Sequence, residues 1–152
     1  MNYKIPMKVS EIRLIYNNKV KAADRPQIRS SQDAYWVLES NWSDQMNLVE
    51  EFNILLLDRS NRVMGMCHIS KGGVAGTVVD QKIVFAAAIK ARASSIILAH
   101  CHPSGNLKPS RADIDLTKKF QKAGEILDIQ ILDHLILSPE GRYFSFSDEL
   151  MM

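Results

Sequence analysis

The stretch "SSIILAHCHPSGNLKPSRAD", Ser94–Asp113, runs from an apolar segment into two histidines, a cluster of turn formers and a carboxylate. "SSIILAH" reads as a buried strand, being short, aliphatic and closed by a turn signal. Side chains at i and i+2 of an extended segment point the same way, so His100 and His102 present their rings to one side and Cys101 to the other. Pro103, Ser104 and Gly105 stop the strand and Pro109 pre-sets the next turn. The helix opening near Ser110 then carries Asp113 in its first turn. A strand end and a helix start therefore converge on one point.

Working outward, "RADIDLTKKFQKAGEILD" is an amphipathic helix, with Leu116, Phe120, Ala123 and Leu127 at three- and four-residue steps. "IQILDHLILS" is a further strand, "PEG" a turn and "RYFSFS" a closing strand. On the N-terminal side, "QKIVFAAAIKARA" is helical, with Val84, Ala87, Ala88 and Ala91 on one face. "FNILLLD" and "VMGMCHI" form a hairpin across "DRSNR". The glycines of "SKGGVAGTVVD" suit a sharply bent loop that shapes a cleft wall, and Gly72, Gly73 and Gly76 match no phosphate-binding fingerprint. Nearer the N-terminus come a strand at "SEIRLIY", a basic connector, a helix at "SQDAYWVLESNW" capped by Ser30 or Ser31, and a polar link. Strands and helices alternate in the middle while hairpins bracket the ends, which predicts an α/β fold with helices packed on a mixed sheet.

Bulk properties place the chain among ordinary globular domains. Its 152 residues are 46% hydrophobic and 24% charged, enough to bury a core. A formal net charge of +2 lacks the dense positive stripe of a dedicated nucleic-acid binder. Cys67 and Cys101 form no CxxC pair, so a reducing compartment is expected. The first residues show no signal-peptide pattern and no run is long enough for a membrane span. A cytoplasmic location without membrane contact follows as the expectation.

Histidine, histidine and aspartate around a point make three protein ligands and leave a fourth position open, the arrangement of a catalytic rather than a closed structural zinc site. Zinc suits this donor set and lowers the pKa of a coordinated water towards ~7.

The order of His100, His102, Ser110 and Asp113 matches the H-x-H-x7-S-x2-D signature of the JAMM (MPN, or JAB) metalloproteases. "AHCHPSGNLKPS" together with "LDHLIL" closely resembles the RadC branch of that superfamily. The resemblance covers the chain from about Glu50 to the C-terminus, and the first part also looks like short RadC-like proteins. It implies an α/β sandwich around a curved mixed sheet, cytidine deaminase-like, as one unit over 1–152 with an N-terminal extension at 1–45 and a metal-binding core at 46–152. It further implies that His100, His102 and Asp113 bind Zn2+, that Ser110 stabilises an oxyanion, and that an upstream glutamate activates water. In RadC-like sequences that glutamate lies two residues before the aromatic of the first core strand, which here makes it Glu50, with Glu51 as the fallback. Two departures stand out. Cys101 replaces the asparagine common between the histidines, and the upstream helix-hairpin-helix region of full-length RadC proteins is missing from these 152 residues.

Simpler readings compete. Ser110-x-x-Asp113 is also a plain capping box, but capping leaves the histidine pair unexplained. His68 and His134 lack a partner at ligand spacing and read as structural strand residues, with Asp133 bonding nearby backbone. Cys67 reads as buried and inert. The basic connector reads as an exposed loop.

The leading expectation is a zinc-dependent hydrolase of peptide or isopeptide bonds, acting on a peptide or protein substrate with metal-activated water. The alternative is a DNA repair or DNA metabolism accessory protein that binds nucleic acid or a repair protein. A third reading, an idle scaffold with a closed metal site, needs Cys101 as fourth ligand. A nucleobase deaminase is disfavoured because the H-x-E and P-C-x-x-C elements are missing. Edge strands of a small mixed sheet would also let the chain form a homo-oligomer.

Overall fold

The computed structural model describes residues 8–13, 15–73 and 78–152. Among these residues lie three α-helices, α1 (Ser31–Asn41), α2 (Gln81–Ala91) and α3 (Arg111–Leu127), and five strands. The strands are β1 (Glu51–Leu57), β2 (Val63–Lys71), β3 (Ser95–Cys101), β4 (Gln130–Leu137) and β5 (Tyr143–Ser145). They form a single mixed sheet in the order β2-β1-β3-β4-β5. β3 and β4 run parallel and every other pair runs antiparallel. A parallel pair needs a crossover, and α3 supplies it.

Every residue of β1 and of β3 is buried, as expected of central strands covered on both faces. Alternation along the strands divides the core in two. Phe52, Ile54, Leu56, Ile96 and Leu98 pack with Val84, Phe85 and Ala88 of α2 and Phe120 of α3. Leu55, Leu57, Ile97, Ala99 and Cys101 face the other way and pack with Ala34, Tyr35 and Leu38 of α1. The helix read within the N-terminal extension is thus seated on the sheet, its start capped by Ser30, whose hydroxyl accepts from the Asp33 N–H.

Several expectations change. The described residues of "SEIRLIY" carry no strand, and Leu14 lies outside them; Ile12 is almost fully exposed, so no apolar face holds this segment against the sheet. The proposed cleft wall lies partly outside the described residues, which exclude Gly76. On α2 the buried row is Val84, Phe85, Ala88 and Ala91, with Ala87 only partly covered. On α3 it is Thr117, Phe120 and Gly124, while Leu127 is exposed. Cys67 is partly exposed rather than buried, because β2 is an edge strand. What burial it has raises its thiol above the ordinary value. The basic connector is largely exposed, and its Arg25 pairs with Asp58 at 3.3 Å.

Gly124 sits on the buried row of α3 where the chain turns back towards β4. The Ile129 N–H donates to the Gly124 carbonyl at 2.9 Å. A β-carbon at Gly124 would collide with the Ile129 carbonyl oxygen, a backbone atom that cannot swing aside. Gly124→Ala in an exposed helix would stabilise by about 0.5–1 kcal/mol. Here it is expected to destabilise by about 1–3 kcal/mol, read as a lower denaturant midpoint; an unchanged or raised midpoint contradicts the packing.

Candidate metal centre

The sheet delivers the two histidines. His100, 3% exposed, is the penultimate residue of β3 and pairs in register with Phe52 of β1. His102 lies just beyond the strand, and its N–H donates to the Leu137 carbonyl at 2.9 Å, prolonging the parallel ladder by one rung. Both rings therefore stay on the face that carries Phe52 and Leu98. The chain then turns: the Gly105 N–H donates to the His102 carbonyl at 3.0 Å, with Gly105 at φ +81°, a left-handed conformation natural to glycine.

α3 delivers the carboxylate. Ser110 is its N-cap, and its hydroxyl accepts from the Asp113 N–H at 3.1 Å while Asp113 Oδ2 accepts from the Ser110 N–H at 2.8 Å. The capping box and the site use the same two residues. Asp113 Oδ1 lies 3.3 Å from His100 Nε2, Asp113 Oδ2 lies 3.5 Å from His102 Nε2, and the two Nε2 atoms are 3.0 Å apart.

The hydrogen bonds of His102 fix what its Nε2 offers. His102 Nδ1 is 2.6 Å from the Asn106 carbonyl oxygen, and a carbonyl can only accept, so Nδ1 carries the proton. In the neutral ring Nε2 is left with a lone pair, which faces the Asp113 carboxylate and the other ring and is open to a proton or a metal cation. Burial alone would raise the Asp113 carboxyl, but the His100 and His102 rings beside it, which stabilise its charge whenever they carry a proton, outweigh burial and hold the carboxyl well below the usual range. His102 is raised, chiefly by its hydrogen bond with Asp113, with the Glu50 charge adding to the effect. The arrangement favours positive charge at its centre.

The separations also suit a metal ion. Four-coordinate zinc with bonds of about 2.0–2.1 Å has neighbouring ligand atoms about 3.3 Å apart; the two Nε2 atoms at 3.0 Å, and the carboxylate oxygen nearest each ring, Oδ1 at 3.3 Å and Oδ2 at 3.5 Å, lie close to that spacing. His100, His102 and Asp113 are the one group of this kind among the described residues.

Glu50 and Glu51 part company. Glu50 directly precedes β1, two residues from Phe52, whose ring stacks on His100 at 6.1 Å. Glu51 lies on the opposite face, 2% exposed, its Oε1 accepting from the Ser43 hydroxyl at 2.6 Å. Cys101 shares that face, its thiol contacting the Val49 carbonyl and the Glu51 N–H, each at 3.4 Å. Burial pushes the Cys101 thiol up to about 11. The thiol points away from the histidines, which removes the fourth ligand that a closed site would require.

His134 is, as read, a structural strand residue, but it has a partner the sequence did not show. It is fully buried on β4, with its Nε2 2.8 Å from His100 Nδ1 and its Nδ1 2.6 Å from the Thr117 hydroxyl. Burial holds it well below the ordinary histidine value. The signal that could have found it is register: β4 places His134 beside Leu98, two residues before His100 on the same face. Asp133 meets its expectation, accepting from the backbone N–H groups of His134 and Ser147 and from the Ser145 hydroxyl. His68 bonds Asn53 at 3.0 Å, away from the histidine pair.

Comparison with known proteins bears on the same residues. The profile of the RadC-like JAB domain family matches residues 28–151. A "UPF0758 protein" of Flavobacterium johnsoniae is 48% identical over 122 residues, covering 80% of this chain and 52% of the relative. One of Porphyromonas gingivalis is 42% identical over 125 residues, covering 82% and 54% respectively. One of Finegoldia magna is 51% identical over 103 residues, covering 63% and 46%. The chain spans about half the length of the curated relatives it matches.

Proposed function

Because the chain belongs to the RadC-like JAB domain family, we propose that it is a zinc-dependent hydrolase of peptide or isopeptide bonds, with His100, His102 and Asp113 holding the metal. One observation carries this reading: two imidazole nitrogens at and just beyond the end of β3 and the Asp113 carboxylate at the start of α3 approach one another at 3.0, 3.3 and 3.5 Å, while the Cys101 thiol faces away. Zinc held by three protein ligands supplies Lewis acidity and lowers the pKa of water at its open position towards ~7.

The protein's own groups do the rest. In this reading Glu50, two residues before Phe52 in the strand that pairs with His100, takes a proton from the attacking water and returns it to the departing amine. Ser110 receives the Asp113 N–H on its oxygen, so its own O–H is free to donate to the oxyanion that forms at the substrate carbonyl. His102 is locked by Asn106 and keeps its lone pair aimed at the site. Substrate reaches the site past the exposed Ser110 and the half-buried His102 and Asp113.

The test has two arms. Zinc is measured in purified wild-type and His102→Ala proteins, and both are screened against a peptide library. Stoichiometric zinc and cleavage in wild type, both lost in His102→Ala, are expected. Equal zinc in the two proteins would remove the proposal.

A further inference from the structure

Behind the three ligands runs a hydrogen-bonded chain that begins at one of them and ends at another. Thr117 is one helical turn beyond Asp113, and its hydroxyl donates to the Asp113 carbonyl at 2.7 Å. Its oxygen lies 2.6 Å from His134 Nδ1, and His134 Nε2 lies 2.8 Å from His100 Nδ1. The His134 ring cannot turn to choose other partners. Phe146 stacks on it at 4.9 Å and Phe52 meets it edge-on at 5.8 Å.

The direction of this chain follows from donor counting. The Asp113 carbonyl can only accept, so it takes the single hydroxyl proton of Thr117. The Thr117 oxygen must then accept, and the His134 proton sits on Nδ1. His134 is fully buried and its two ring nitrogens meet a hydroxyl and another imidazole, with no carboxylate on either to support a charge, so the ring is a neutral imidazole with one N–H; its Nε2 is then an acceptor and the proton between the rings belongs to His100 Nδ1. His100 is thereby left with a bare Nε2, the atom that faces Asp113 and His102. Run in the opposite sense, the chain would place a hydrogen on His100 Nε2 and block that atom as a ligand. A metal-bound histidine is generally held in this way, its other nitrogen donating to a fixed acceptor.

We infer that Thr117 and His134 are positioning residues for the metal site, an ordered relay anchored on the Asp113 carbonyl that locks His100 in its Nδ1–H tautomer and presents its Nε2 to the ion. The inference deepens the hydrolase reading and rests on its assignment of His100 as a ligand. The relay also ties β3, β4 and α3 together beneath the site, so ligand orientation depends on the register of the parallel strand pair.

The experiment measures zinc affinity by chelator competition and histidine tautomers by nitrogen NMR in the metal-free protein. His134→Phe fills the space without an acceptor and is expected to weaken zinc by about 10–100-fold. Thr117→Val keeps the shape without the hydroxyl and is expected to weaken it by about tenfold, whereas Thr117→Ser restores wild-type affinity. In metal-free wild type His100 and His134 should both carry a hydrogen on Nδ1, with His134 Nε2 bare, and in Thr117→Val the Nδ1 hydrogens should be partly lost to the other nitrogens. Should His134→Phe fail to fold, Thr117→Val and the spectra decide alone. Folded variants that bind zinc as wild type does, or a wild-type His134 protonated on Nε2, would overturn the relay. A wild-type protein that takes up no zinc would defeat the hydrolase reading instead, while the metal-free spectra would still report on the relay.

Discussion

Glu50→Gln is expected to slow peptide hydrolysis by about 10²- to 10⁴-fold, the usual contribution of a positioned general acid–base group, while leaving the zinc content unchanged. Glutamine keeps the shape and polarity of the side chain but can neither take a proton from water nor hand one to a leaving amine. Glu50 is none of the three ligands, so binding of the ion should survive. The informative control is Glu51→Gln. Glu51 is buried on the α1 side of the sheet against Ser43, with the strand between it and the histidines. Its replacement should leave turnover within a few-fold of wild type. Turnover that collapses in Glu51→Gln and persists in Glu50→Gln would mean that the register places the base wrongly.

The largest stability effect is expected at Phe52. This ring is 1% exposed and joins the core to the candidate metal centre: it stacks on His100 at 6.1 Å and on Phe120 at 6.2 Å, and meets His134 at 5.8 Å. Truncating a buried phenylalanine to alanine removes its transfer energy and leaves a cavity, together about 3–5 kcal/mol. For a domain of this size that lowers the melting temperature by about 6–20 °C. Two polar rings border the cavity, so collapse into it would disturb the His100–His134 contact and zinc affinity should fall as well. Leu127→Ala on exposed α3 surface should cost less than about 0.5 kcal/mol. Similar midpoints for these two variants, measured by denaturant melting, would contradict the description of the core.

Local signals carried much of the architecture. "FNILLLD", "SSIILAH" and "LDHLIL" are too short and too apolar for surface helices, and they form β1, β3 and β4. Ser110 and Asp113 announce the start of α3, since a capping box is a local pattern whose partners are three residues apart. The spacing of His100, His102 and Asp113 was likewise legible, because strand periodicity and one short turn suffice to aim three side chains at one point. Where burial was read from helix periodicity alone, at Ala87 and Leu127, the reading drifted, because the width of the covered face depends on what packs against it.

The surroundings of Glu51 and His134 needed more than sequence. Glu50 and Glu51 are adjacent and chemically alike, and only the pairing of Phe52 with His100 assigns them to opposite faces. His134 is separated from His100 by all of α3, and nothing local connects them. By itself, then, the amino-acid order determined the elements and the three converging donors, since both follow from dihedral preference and side-chain periodicity within a few residues. Which glutamate shares their face and which buried imidazole stands behind His100 were decided only when β1, β3 and β4 took their register. A shift of one residue moves every side chain of a strand to the other side of the sheet, and that choice is enforced by packing across the whole core.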